Sequence, residues 1–271
     1  MSDTLPEERC DEPITTERIA SDLRELGLDA GDTAIVHASL SALGWVAGGA
    51  PAVVDALQSV VTEEGTLVLP THTSQLSDPS DWSNPPIPES WHQPFREAAA
   101  PYRPEVTPCL RVGQIPDCFR SYPGVERSSH PLYSFAAWGA EAEAVVAAHP
   151  LDVGLGDGSP LEAVYDREGY VLQLGTDHGT NTSLHLAEYR ADWSKPTETV
   201  GAPMLVEGER EWVEWPALAW DSDDFADCGA AFADAHPEAV TTGGVGAADA
   251  RLLDQRALVD FGVEWFGEHR R

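Results

Sequence analysis

Apolar positions along the chain switch between a helical and a strand-like period. In residues 15–28 (TTERIASDLRELGL), Ile19, Leu23 and Leu26 fall on one helical face. Thr15 stands as the cap, Glu17 lies in the first turn and Gly27 ends the run. Asp32 to Val36 (DTAIV) then reads as a short strand, Ala52 to Val61 as a helix and Gly65 to Pro70 (GTLVLP) as a second strand. Strand, loop, helix, strand is a βαβ unit and predicts a parallel sheet. Residues 73–108 break the pattern. They are rich in Pro, Ser and Trp, have no period, and read as an ordered flap over a cleft.

Further on, Ser134 to Trp138 reads as a strand, Ala140 to Ala148 as a helix, and Ser159 to Tyr165 as a helix with Ser159 as cap and Pro160 at its first position. Tyr170 to Leu174 (YVLQL) is a buried strand, residues 175–182 are a polar loop, and Ser183 to Arg190 starts a helix. Thr197 to Trp215 alternates as a hairpin with a turn near Gly208, and Asp221 to Ala233 reads as a helix with an acidic start. Val245 to Leu253 and Gln255 to Phe266 close the chain. The expected organisation is an acidic tail over 1–14 and a single α/β domain over 15–271, because no linker-like stretch divides the chain.

Charge narrows the function. The chain has 271 residues, with 16 Lys and Arg against 46 Asp and Glu, a formal net charge of −30. That excludes the basic footprint of a nucleic-acid binder and disfavours an anionic membrane surface. Two uses of the charge stay open: solubility in high salt, and steering of a cationic substrate. With 42% hydrophobic residues and nine tryptophans the chain can build a core. The N-terminus, MSDTLPEERCDEP, lacks the basic and apolar regions of a signal peptide, so the expected location is cytoplasmic. The four cysteines form no CxxC pair and read as free thiols.

The densest chemistry follows the strand YVLQL, where open α/β sheets place ligands: residues 174–188, LGTDHGTNTSLHLAE. His185 and Glu188 are spaced i,i+3 and share a helical face. A carboxylate beside an imidazole fixes its tautomer and stabilises its protonated form, as a general base acting on an amine requires. The plainer reading is an ordinary surface pair. A metal site is a further alternative, from His178, His185 and Glu188 with His37 or His72, although no HExxH motif supports it. Three weaker clusters accompany the pair. His37 to Gly49 (HASLSALGWVAGG) joins a strand to a helix and suits an anion at a helix N-terminus, or is an ordinary tight loop. Arg127 to Pro131 (RSSHP) with Ser134 offers a guanidinium and hydroxyls. Gly154 to Pro160 (GLGDGSP) is a glycine loop feeding a helix.

In order and spacing, HASLSALGWVAGGA, VERSSHPLYSFAAWG, LDVGLGDGSPLEAVY and NTSLHLAEYR resemble the aminoglycoside 3-N-acetyltransferase family over roughly residues 15–266. The resemblance implies a single α/β/α domain with a central mixed sheet, distinct from the GNAT acetyltransferases. It also implies direct transfer from acetyl-CoA to the 3-amino group of an aminoglycoside, with no metal and with room for a homodimer. It makes His185 the general base and Glu188 its orienting partner. It assigns His37, Ser39, Leu40, Ser41, Arg127, Ser134 and Ser159 to CoA.

The thioester oxygen gains negative charge in the transition state, and backbone amides of the Ser39–Ser41 loop are candidates to receive it. Aminoglycosides are polycations, so carboxylates should line the acceptor side. Asp78, Asp81 and Glu105 in the flap and Asp221 after the hairpin are the expected ones. Family members that modify clinical drugs often carry an acidic residue about where Gly179 stands, and Asp177 is the nearest substitute here. Three alternatives remain beside aminoglycoside acetylation: the same transfer to another small amine, a metal-dependent hydrolase, and a CoA-binding protein without turnover.

Overall fold

The structure is a computed structural model and describes residues 5–270. A seven-stranded mixed sheet organises it. Its strands are β1 (Thr33–Ala38), β2 (Thr66–Pro70), β3 (Glu126–Arg127), β4 (Phe135–Gly139), β5 (Tyr170–Leu174), β8 (Val240–Val245) and β9 (Ala248–Asp254), in the order β3-β4-β2-β1-β5-β9-β8. A separate hairpin pairs β6 (Thr197–Val206) with β7 (Glu209–Leu218).

The expected βαβ unit is present. β1 and β2 run parallel, joined through α2 (Ala50–Val61), with Ile35 opposite Val68. β5 is parallel to β1 on the other side. Parallel pairing stops there: β4 lies antiparallel to β2, and β9 antiparallel to β5. The sheet is therefore mixed rather than parallel throughout, with the three parallel strands at its centre.

Alternation along the central strands creates two cores. Ala34 and Val36 face one side, with Leu67, Leu69, Leu172 and Leu174, and pack under α1 (Thr16–Leu26), α2 and α4 (Gln114–Phe119). Ile35, Val68 and Val171 face the other, under α6 (Pro160–Asp166), α7 (Ser183–Arg190), α8 (Phe225–Ala235) and α9 (Gln255–His269). This is an α/β/α sandwich, and the full burial of both faces explains why its strands read as unbroken apolar runs. Among the described residues, no helix is long and apolar enough to cross a membrane.

Differences from the sequence expectation have local causes. The helix expected from Asp221 begins at Phe225, because the Asp221 backbone is engaged by Glu188 and Arg270 instead of by a helical turn. The hairpin extends past Trp215 to Leu218 and turns through Glu207 and Gly208, both at positive φ, as a two-residue hairpin turn requires. β8 (VTTGGV) escapes sequence reading because it is an exposed edge strand with two glycines.

Residues 73–108 contain α3 (His92–Ala98) and short 3-10 turns and dock against the β6–β7 hairpin. The Tyr102 amide donates to the Pro203 carbonyl at 2.9 Å, Arg210 donates to the Ala99 carbonyl, and Phe95 meets Trp212 edge-on. The last residues of the expected tail lie against the loop after β1: Ile14 donates to the Trp45 carbonyl and accepts from Ala47. Residues 1–4 of that tail and Arg271 lie outside the described residues.

Burial makes this fold acid-sensitive. It lowers the imidazoles of His37, His149 and His178 to about 4 and that of His72 to about 3, from an ordinary 6.5. Between those values the unfolded chain binds protons that the folded chain does not, so stability is full above the ordinary value and declines as pH falls through the window. Urea midpoints should therefore drop between about pH 7 and about pH 5. A flat profile across that window would contradict the buried, neutral state of these side chains.

Candidate active site

The C-terminal ends of β1, β2 and β5 open into a cleft of about 650 Å³. Its walls include His37 and Ser39 from the end of β1, His72 just past β2, Tyr133, residues of the 176–182 loop, and His185, Trp220 and Phe225. His185 sits on the first turn of α7, which starts where the polar loop after β5 ends. Its Nδ1–H donates to Glu188 Oε2 at 2.8 Å. Trp220 and Phe225 meet the ring edge-on, with centroids 4.9 and 4.7 Å away, and hold its plane. With Nδ1 committed, Nε2 is the ring nitrogen left for a ligand.

Glu188 has no exposed surface. Its second oxygen, Oε1, accepts from the Asp221 amide at 2.9 Å and from Arg270 Nη1. Arg270 also bonds both oxygens of Asp224 and donates to the Asp221 carbonyl. Its guanidinium lies over Phe266 at 4.3 Å. The pair is thus a buried, fully hydrogen-bonded carboxylate gripping one face of an imidazole whose other side borders a cleft. That separates it from an ordinary surface pair. It is the arrangement of a general base with a fixed tautomer.

A second groove of about 440 Å³ runs on from the cleft. It is lined by Ser39, Leu40, Ser41, Gly44, Trp45 and the N-terminus of α2, and shares Ala38, Ser39 and Gly113 with the cleft.

Comparison with known proteins decides the lineage. The family described as aminoglycoside 3-N-acetyltransferase matches residues 35–267. The chain belongs to that family. A prophage-derived aminoglycoside N(3')-acetyltransferase-like protein, YokD of Bacillus subtilis, is 48% identical over 94% of this chain and 93% of its own. Aminoglycoside N(3)-acetyltransferase VII of Streptomyces paromomycinus is 38% identical over 96% and 94%. Among solved structures, the aminoglycoside acetyltransferase AAC(3)-Xa superposes with a TM-score of 0.89 at 37% identity, covering 97% of this chain and 96% of its own. AAC-IIIb, solved as a binary complex with CoASH, superposes at 0.84 and 31% identity, covering 96% and 98%.

In this family member the remaining expected residues have scattered. His37, Ser39, Leu40 and Ser41 lie along the cleft and groove, and His37 Nε2 is buried there without a partner. Arg127 and Ser134 form a structural knot. The guanidinium donates to the carbonyls of Thr71, Pro104 and Thr107 and to the hydroxyls of Thr71 and Ser134, and Ser134 Oγ donates to the Thr71 carbonyl. Ser159 is 2% exposed and caps α6 through the Leu161 amide. Neither it nor the Arg127 knot lines the cleft or the groove.

Asp78 pairs with Arg96 at 2.7 Å, Asp81 and Glu105 are exposed, and none of the three lines the cleft. Asp177 is exposed beside the cleft and caps the turn His178–Thr180. Asp221 borders an acidic recess with Asp223, Asp224 and Asp227. His178 packs into α8, where a Cβ on Gly229 would come within 2.1 Å of its ring. Among the described residues, no three His, Cys, Asp or Glu side chains converge as a metal-ligand set.

Sequence reasoning missed Tyr133, Trp220, Phe225 and Arg270. The apolar three look like core residues, and Arg270 gives no signal because 82 positions separate it from Glu188.

Two substitutions test this assignment of structural and chemical roles. Glu188→Ala leaves the His185 Nδ1–H and the Asp221 amide without an acceptor and Arg270 with Asp224 as its remaining carboxylate, and should cost about 3 kcal/mol of folding stability in urea titrations. Arg127→Met orphans several buried carbonyls and should destabilise by about 3 kcal/mol. It should leave CoA affinity, measured calorimetrically, close to that of the parent. A selective loss of CoA affinity would return Arg127 to the binding site.

Proposed function

We propose that this protein transfers the acetyl group of acetyl-CoA directly to an amine of an aminoglycoside, at the 3-position, with His185 as general base. The observation that carries the reading is the His185–Glu188 pair, buried on the wall of a cleft that runs on into the Ser39–Gly49 groove.

The groove suits an anionic CoA. In a chain of net charge −30, none of its lining residues is acidic. It ends at Gly49, the cap of α2, whose first turn carries no carboxylate, so the positive end of that helix dipole is not opposed by acid of its own. His37, one residue before the shared Ala38, lines the cleft and not the groove, and its Nε2 is buried without a partner. Acetyl-CoA supplies an acetyl thioester.

At the reacting centre, the amine lone pair forms a bond to the acetyl carbon as the carbon–sulfur bond breaks. His185 Nε2 takes the proton the amine sheds, and that proton leaves on the thiolate. Glu188 keeps Nδ1 protonated and stabilises the imidazolium in between. The Ser39 amide is committed to the Leu174 carbonyl, so the amides of Leu40 and Ser41 are the remaining oxyanion donors in that loop.

Acceptor cations approach from the side flanked by Asp177 and by the acidic stretch Asp221–Asp227. Availability of acetyl-CoA makes the cytoplasm the setting this reading requires. A second reading is favoured by the cleft wall itself, which carries no carboxylate: the same transfer to a small amine of lower charge.

Thiol release from acetyl-CoA, followed with a panel of aminoglycosides and simpler amines, tests both. Turnover with aminoglycosides that falls about 100-fold or more in His185→Ala is the expected result. Turnover only with simpler amines would favour the second reading, and turnover unchanged in His185→Ala would remove His185 as the base.

A further inference from the structure

We propose that Arg270, next to last in the chain, is a positioning residue for this reaction, setting the charge and orientation of Glu188 and through it the competence of His185. The inference rests on the reading of His185 as base.

A carboxylate with no exposed surface cannot stay ionised without a compensating charge. A neutral imidazole does not supply one. The Asp221 amide supplies a dipole only. Among the described residues, Arg270 is the cation that reaches Glu188, at Oε1, the oxygen His185 does not use. The guanidinium is itself held hard. Its side chain is 9% exposed, it bonds Asp224 through two nitrogens and the Asp221 carbonyl through one, and it stacks over Phe266 with Trp193 at 5.0 Å. The groups facing the pair are thus His185 from α7, Asp221 and Asp224 from the approach to α8, and Arg270 from the end of α9.

Without Arg270, Glu188 Oε1 keeps only the Asp221 amide, and no cation holds the carboxylate in the orientation that presents Oε2 to His185. The acceptor that fixes the imidazole's tautomer and stabilises the imidazolium is then loosely held, which lowers the chemical step and leaves the lining of the groove unchanged. Arginine also does what lysine cannot, since its planar fork binds Glu188 and Asp224 together.

The test uses the full-length protein with Arg270→Ala, Arg270→Lys and His185→Ala, assayed with acetyl-CoA and an amine that the panel shows to turn over. Arg270→Ala should lose about 100-fold in kcat with KM for acetyl-CoA unchanged. Added guanidinium salts at concentrations below those that unfold the protein should restore part of the loss, and Arg270→Lys should fall between. Nitrogen NMR of the histidine side chains gives a readout that needs no substrate. The His185 signals should move in Arg270→Ala, while those of His149, as deeply buried and bonded to Ser128 and Gly154, stay in place.

If Arg270→Ala does not fold, Arg270→Lys and Asp224→Asn carry the same two measurements. Unmoved His185 signals, or a kcat within twofold of the parent, overturns the role of Arg270. Loss of activity in His185→Ala alongside an active Arg270→Ala sinks this inference alone. Full activity in His185→Ala sinks the base assignment on which it rests.

Discussion

A fully buried carboxylate organises the functional end of this molecule. Glu188 lies on the inner face of α7 with no solvent to stabilise its charge, so each of its oxygens needs a donor. Those donors come from three places: the same helix, the segment leading into α8, and the end of α9. Meeting that one demand fixes where the segment after the hairpin runs and why α8 starts only at Phe225. It also brings Trp220 and Phe225 against the His185 ring. Electrostatics at one atom pair thereby sets the shape of one wall of the cleft.

The opposite wall is set by the sheet. The strands β2, β1 and β5 run parallel at its centre and end together, which brings His72, His37 and the 176–182 loop to one edge. The antiparallel neighbour β4 begins beside the end of β2, where Pro70 pairs with Phe135, and so brings Tyr133 to the same edge. The loop after β1 then carries Ser39 to Gly49 away from the reacting end to α2, and the groove follows it. The cleft and the groove thus form two cavities that join at Ala38, Ser39 and Gly113, with His185 on the wall of the first.

Charge is partitioned in the same way. The chain as a whole is strongly acidic, yet neither the groove nor the cleft wall is lined by carboxylates. The acid lies outside those linings, at exposed Asp177, in the recess of Asp221, Asp223, Asp224 and Asp227, and over the general surface. On the proposed reading, an anion in the groove meets no lining carboxylate, and the surrounding acid attracts a cation.

Local pattern determined a large part of this. The apolar runs at 33–36, 66–70 and 170–174 are the central strands, and a fully buried strand has no other use for such a run. The i,i+3 spacing alone places His185 and Glu188 on one helical face. Only the tertiary structure decided the rest. Arg127, which reads as a ligand-binding guanidinium, is consumed by three carbonyls from two other segments, at Thr71 and at Pro104 and Thr107, and Asp78 by Arg96. Arg270, which carries no local signal, closes the site across 82 residues. A side chain's periodicity is a property of its own segment, whereas the partner that satisfies a buried charge is chosen by which segments the two cores bring together, and no local pattern carries that choice.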